Sequence, residues 1–206
     1  MQMYLEDKNR KGQSLLHKLS LKLLLHGLTP VLVCKDRSFS FPDYLRTSKQ
    51  AKIPFSITGN LLFVAILNMY HLKDVIVQIK EIENSNEIPV PVFLDFSHHY
   101  LDENINTPET EYLFYRDLKA IRTLKSCHTG TVIFWEQGKA REPGLQKFFR
   151  HRLQEQSQVK IELTNEKINL INQIKGGSGY GITNANLLKL CREFIGQMET
   201  IQESTA

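Results

Sequence analysis

Three points along the chain carry residue types that could together hold a phosphate group and its metal ion. The first is the eight-residue window Asp7-Lys8-Asn9-Arg10-Lys11-Gly12-Gln13-Ser14. A working phosphate loop uses glycines so that backbone N–H groups can cradle phosphates, a lysine on the outer phosphates and a hydroxyl on magnesium. Gly12 and Ser14 stand where the second glycine and the hydroxyl belong, whereas Asp7 replaces the first glycine and Gln13 the lysine. Gln13 is uncharged, and Asp7 brings a carboxylate toward the phosphates. Taken alone, the window is also a plain helix start capped by Ser14. The second point is "PVFLDFS", an apolar run ending in Asp95, which is how a nucleotide-binding sheet presents a magnesium-oriented carboxylate. Any parallel strand can also end in Asp. The third is "TVIFWEQ", a second apolar run, ending in Gln137. Ligands of open α/β sheets bind beyond the carboxyl ends of such strands, so Ser14, Asp95 and Gln137 are expected at one crevice.

A different chemistry is suggested by "GKAREPGLQKFFRHR". Lys139, Arg141, Lys147, Arg150 and Arg152 stand against Glu142, interleaved with Phe148 and Phe149. Cations suit phosphates and aromatic faces suit bases, so the stretch has the makings of a nucleic-acid surface. The alternative is a solvated loop with both phenylalanines in the core. His98-His99 with Asp102-Glu103 suggests a metal site, but neighbouring strand residues point to opposite faces, so no metal is expected. Trp135 reads as a core or crevice wall, and "KGGSGYG" as a turn or flexible loop.

The elements that position these residues follow from hydrophobic period. "MQMYL" predicts a strand and residues 14–27 a helix, capped by Ser14 and stopped by Gly27. "TPVLVCK" predicts a buried parallel strand, "PFSIT" another strand, and about 60–82 a long helix, weakened late by Val75, Ile76, Val77 and Ile79. "VPVFLDFS" predicts a buried strand, 109–126 a helix begun by Thr107-Pro108-Glu109, and "GTVIFWEQ" a strand. "QVKIELT" and "KINLINQI" are strand candidates with no helix between them, and 184–202 predicts a final helix. The alternation implies an α/β fold with a mainly parallel central sheet and helices on both faces.

The bulk numbers agree with one domain. There are 206 residues, 41% of them hydrophobic, enough for one sizeable core. A formal net charge of +4 permits an acidic partner without requiring one. Cys34, Cys127 and Cys191 form no CxxC pair, so reduced thiols are expected rather than a disulfide framework or a zinc site. "SLLHKLSLKLLLHGL" is broken by Lys and His at helical spacing, so no signal peptide or membrane span is expected.

In this order the motifs resemble those of the RecA-like recombinases, and within them the eukaryotic recombinase paralogues, of the Shu-complex accessory type. In that family the phosphate loop leads to a strand near a catalytic glutamate and a proline segment. Here that region is "VLVCKDRSFSFPDYL", with Arg37 near the glutamate's place. "VFLDFSHHYL" is similar to the family's magnesium-aspartate strand, matched by Asp95, and "TGTVIFWEQ" to the strand with the sensor glutamine, matched by Gln137. "FFRHRLQEQSQVKIELTNEKINLINQIKGGSGYGIT" follows the family's DNA loop, antiparallel strands and glycine-containing end. No counterpart of the family's N-terminal helical domain is expected.

The resemblance implies a RecA-like domain over residues 1–197 with C-terminal antiparallel strands and a polar tail at 198–206. It implies a vestigial nucleotide site at Gly12, Ser14, Asp95 and Gln137, and DNA contacts at Lys139, Arg141, Lys147, Arg150 and Arg152. No catalysis and no cofactor of its own are expected, with ATP held at most at a partner interface. The implied partners are another recombinase paralogue and the recombinase filament, in a hetero-oligomer on single-stranded DNA in the nucleus. Rival readings are an Elongator-type or bacterial division-inhibitor scaffold, a weak nucleotide-binding ATPase, or an unrelated α/β protein.

Overall fold

The computed structural model describes residues 2–7, 13–35, 39–84, 89–101, 105–125, 131–137, 143–163 and 168–172. Among the described residues the chain is an α/β domain around one seven-stranded sheet. Its elements are β1 (Gln2–Asp7), α1 (Gln13–Leu25), β2 (Thr29–Cys34), α2 (Phe41–Gln50), α3 (Phe55–Thr58), β3 (Leu62–Ala65) and α4 (His71–Asn84). They continue with β4 (Pro89–Leu94), a 3-10 turn (Phe96–Tyr100), α5 (Thr107–Arg122), β5 (Val132–Gln137), α6 (Gly144–Gln156), β6 (Val159–Leu163) and β7 (Ile168–Asn172). The strand order is β3-β2-β4-β5-β1-β6-β7. Every neighbouring pair is parallel except β6 and β7, which are antiparallel as expected.

Period-two alternation divides the strands between two cores. Met3, Leu5, Leu32, Leu94, Ile133 and Trp135 pack with Leu15, Leu16, Leu19 and Leu23 of α1 and Tyr44 of α2. Tyr4, Val33, Phe93, Val132 and Phe134 pack on the opposite face with α4, α5, α6 and the 3-10 turn. Connections running toward the β3 edge use the first face, and those running toward β7 use the second. A single handedness of crossover requires that division.

Local signals explain several boundaries. Gly27 has φ +73, and the chain closes α1 there with Gly27 N–H donating to Leu24 O and Leu28 N–H to Leu23 O, both 3.0 Å. A glycine accepts this left-handed turn without a Cβ penalty. Asn106 caps α5 by accepting from Glu109 N–H at 2.9 Å, so the helix starts at Thr107, two residues before the expected 109, and Pro108 fits the first turn.

Two expectations are corrected. "PFSIT" is the single helical turn α3: Phe55 is 76% exposed and only Thr58 is buried, so a strand there would have had no face to bury. The expected helix over 60–82 is two elements, β3 followed by α4. Leu62-Phe63-Val64-Ala65 pairs with β2, and Asn68 Oδ1 then accepts from Tyr70 and His71 N–H to start the helix. The β-branched residues do not weaken α4, because Val75, Ile76 and Ile79 are buried against the sheet and the helix runs on to Asn84. The expected glycine-rich loop at 175–181 and the helix over 184–202 lie outside the described residues.

Candidate functional site

The carboxyl ends of β4, β5 and β1 lie side by side in the sheet. Asp7 ends β1 directly opposite Gln137, which ends β5. Asp95 follows β4 in the left-handed region, at φ 50 and ψ 45, a conformation that Asp tolerates better than most side chains. Its N–H donates to Trp135 O at 2.7 Å, and its Oδ1 accepts from Gln137 N–H at 2.7 Å. Asp95 and Gln137 are therefore brought together through the Gln137 backbone. The aspartate clamps two strand ends.

Helix α1 begins at Gln13, so Gln13 and Ser14 occupy its first turn, with Ser14 exposed and no acidic residue beside it. Gly12 lies outside the described residues, as do Arg37, Asp102 and Glu103. His98 and His99 fall on the 3-10 turn rather than a strand. His99 is buried, and its pKa is lowered to about 3, by burial first and then by Lys35 and His98. It stays neutral at any ordinary pH. Among the described residues no group of three or more His, Cys, Asp or Glu is placed to hold a metal ion. No helix among them is long and apolar enough to cross a membrane.

Behind this edge, on the α6 side, lies a cluster that sequence reasoning missed. Arg150 is 5% exposed and reaches into the sheet. Its Nη2 donates to Glu6 Oε1 at 2.8 Å, its Nε donates to the Tyr4 hydroxyl at 3.2 Å, and the same Nε lies 3.9 Å from Glu136 Oε2. Glu136 is fully buried and accepts from Ser97 N–H at 2.9 Å and from the Ser97 hydroxyl. Burial, and then the nearby Asp95 carboxylate, raise the Glu136 pKa to about 7, against the lowering effect of Ser97 and Arg150. Burial raises Tyr4 as well. A sequence signal for this cluster existed. Glu6 and Glu136 share the alternation face of Tyr4 and Phe134, and a charge on a doubly covered strand needs a partner.

Arg150 is thus a correction to the nucleic-acid surface, since its buried guanidinium is engaged by Glu6, Tyr4 and Glu136. The rest of the basic stretch divides. Lys139 and Arg141 lie outside the described residues. Lys147 is exposed on α6, which is a helix where a loop was expected. Arg152 is half-exposed, bound to Glu155 at 2.8 Å and placed 5.1 Å over the Phe148 ring. Phe149 is core, stacked on Phe114 at 4.3 Å. Trp135 is buried on the α1 face, and Cys34 is a buried cysteine outside any disulfide.

No protein-family model matches this chain, and no curated protein matches its sequence.

The buried cluster generates two expected outcomes. Removing one partner of a buried ion pair strands the other charge, so Arg150→Ala is expected to destabilise the protein by roughly 3 kcal/mol in urea unfolding. Lys147→Ala, on the exposed side of the same helix, is expected to change stability by less than about 0.5 kcal/mol. For Glu136, a folded pKa above the ordinary 4.5 means that the folded state holds its proton more tightly. That contribution is fully present below about 4.5 and is lost as pH rises through about 7. Wild type should therefore gain stability relative to Glu136→Gln, on the order of 1–3 kcal/mol, between pH 8 and pH 5. His99 acts oppositely, losing stability below its ordinary pKa, but it is common to both proteins and cancels. Equal differences at the two pH values would contradict the assignment.

Proposed function

We propose that this chain is a non-catalytic, RecA-like recombinase paralogue that assists homologous recombination by pairing with another paralogue and promoting recombinase filaments on single-stranded DNA. The observation that carries the reading is the adjacency of three strand ends. Asp95 is bound to the backbone of Gln137, and Gln137 stands opposite the end of β1, from which the candidate phosphate loop departs toward Gln13 and Ser14. The antiparallel β6–β7 pair after a parallel core also suits the resemblance.

Three features speak against turnover. Gln13 takes the place of the lysine that would grip the outer phosphates, Asp7 takes the place of a glycine, and Asp95 Oδ1 is already bound to a backbone N–H. The mechanism is then architectural. The fold supplies an ATPase-type face that a partner carrying a working site could complete. DNA contact rests on Lys147 and Arg152 of α6, with Lys139 and Arg141 before it, and without Arg150. Such contact would weaken steeply with salt.

Affinity purification from the native cell is expected to return another recombinase paralogue. Recovery of a different assembly's subunits in its place would overturn the reading. The purified protein is expected to show no ATPase activity above background; a rate abolished by Asp95→Ala would show that the site works.

A further inference from the structure

Strand β3 is the outermost strand on one side of the sheet, paired only with β2 among the described residues. Ile66 N–H donates to Cys34 O at 2.8 Å, so the backbone of Ile66 faces β2. Successive residues of a strand alternate, which turns Leu62 and Val64 toward β2 and the N–H and C=O groups of Phe63 and Ala65 outward. Among the described residues no hydrogen bond meets those four outward groups. Proteins blunt exposed edges with charge, proline or a bulge. Leu62-Phe63-Val64-Ala65 has no charged residue and no proline. Its flanks are also apolar: Phe41 is 41% exposed with its ring 5.1 Å from Phe63, and Leu67, two residues past the strand, is 73% exposed.

We propose that a second copy of this chain pairs with the β3 edge, antiparallel and two-fold symmetric, joining two sheets into one. The edge is self-complementary. A two-fold axis at Val64 sets Phe63 of each copy opposite Ala65 of the other. Each such pair exchanges both of its N–H···O bonds, so all four outward groups of each copy are satisfied and none is left over. Two copies of a charged strand would repel one another, and this strand has no charge to repel. Phe41 and Leu67 of both copies then close over the joint and lose water. This inference stands apart from the recombination reading, since it uses neither the crevice nor α6.

The test is the mass of the full chain in solution, measured by light scattering or sedimentation from low to high micromolar concentration. The expected species is a dimer, twice the 23.9 kDa of one chain. Ala65→Pro removes an outward donor without touching the β2 pairing, and Leu67→Lys places a charge on each flank. Each is expected to weaken dimerisation by about tenfold or more, with circular dichroism unchanged in Leu67→Lys even where Ala65→Pro disturbs the strand. A monomer throughout the range, or a dimer that Leu67→Lys leaves equally tight, overturns the proposal.

Discussion

β1 is hydrogen-bonded on both sides, to β5 through Gln2–Asp7 and to β6 through Met3–Asp7, and its Tyr4 is fully buried. An N-terminal strand in the interior of a sheet constrains the path of every later element. The chain leaving β1 must pass over β5 and β4 to reach β2, so α1 has to lie along one face as the bridge. Later strands return past β2 and finally past β1, and their helices fill the other face. The same placement sets the end of β1 beside the ends of β5 and β4. The candidate crevice is thus a consequence of topology before any side chain is considered.

Double coverage also decides the fate of charge. Six parallel strands with helices on both faces have little water to offer an ionised group. Glu6, Glu136 and Arg150 are consequently tied to one another and to Tyr4 and Ser97. Pairing across such a site stabilises little compared with apolar packing, but it makes each member intolerant of losing another. The cluster also joins α6 to the strands whose ends lie beside Asp95. Glu136 faces α6, while the next residue, Gln137, holds Asp95 through its backbone. Two neighbouring residues on β5 thus tie together the adjacent strand ends and the helix carrying Lys147 and Arg152.

Much of the fold was legible in the chain. The apolar runs at β1, β2, β4 and β5, the helices α1 and α5, and the β6–β7 pair all carry strong period or punctuation signals. The errors cluster between residues 55 and 71, where segments are short. Four residues of β3 and four of α3 are too few for a period to emerge, and Leu62-Phe63-Val64-Ala65 joined to an apolar helix looks like more helix. Helix α6 was hidden for a different reason: its basic residues suggested a solvated loop, and the helical spacing of Phe149 and Leu153 along the buried face was outweighed.

By itself the sequence determined the α/β class and the residues that end the buried strands. Those are local facts, set by the order of apolar and polar side chains and by single residue types. Tertiary structure alone decided strand order and partner choice. Arg150 and Lys147 look alike in the chain, but on α6 the boundary between buried and exposed sides passes between them. One is drawn into a carboxylate cluster contributed by β1 and β5, and the other is left in water. Asp95 likewise needed a neighbour some forty residues away, the Gln137 backbone, before its role as a clamp between strands could be seen. Contacts at such separations depend on which strands lie side by side, and no local pattern of residues encodes that.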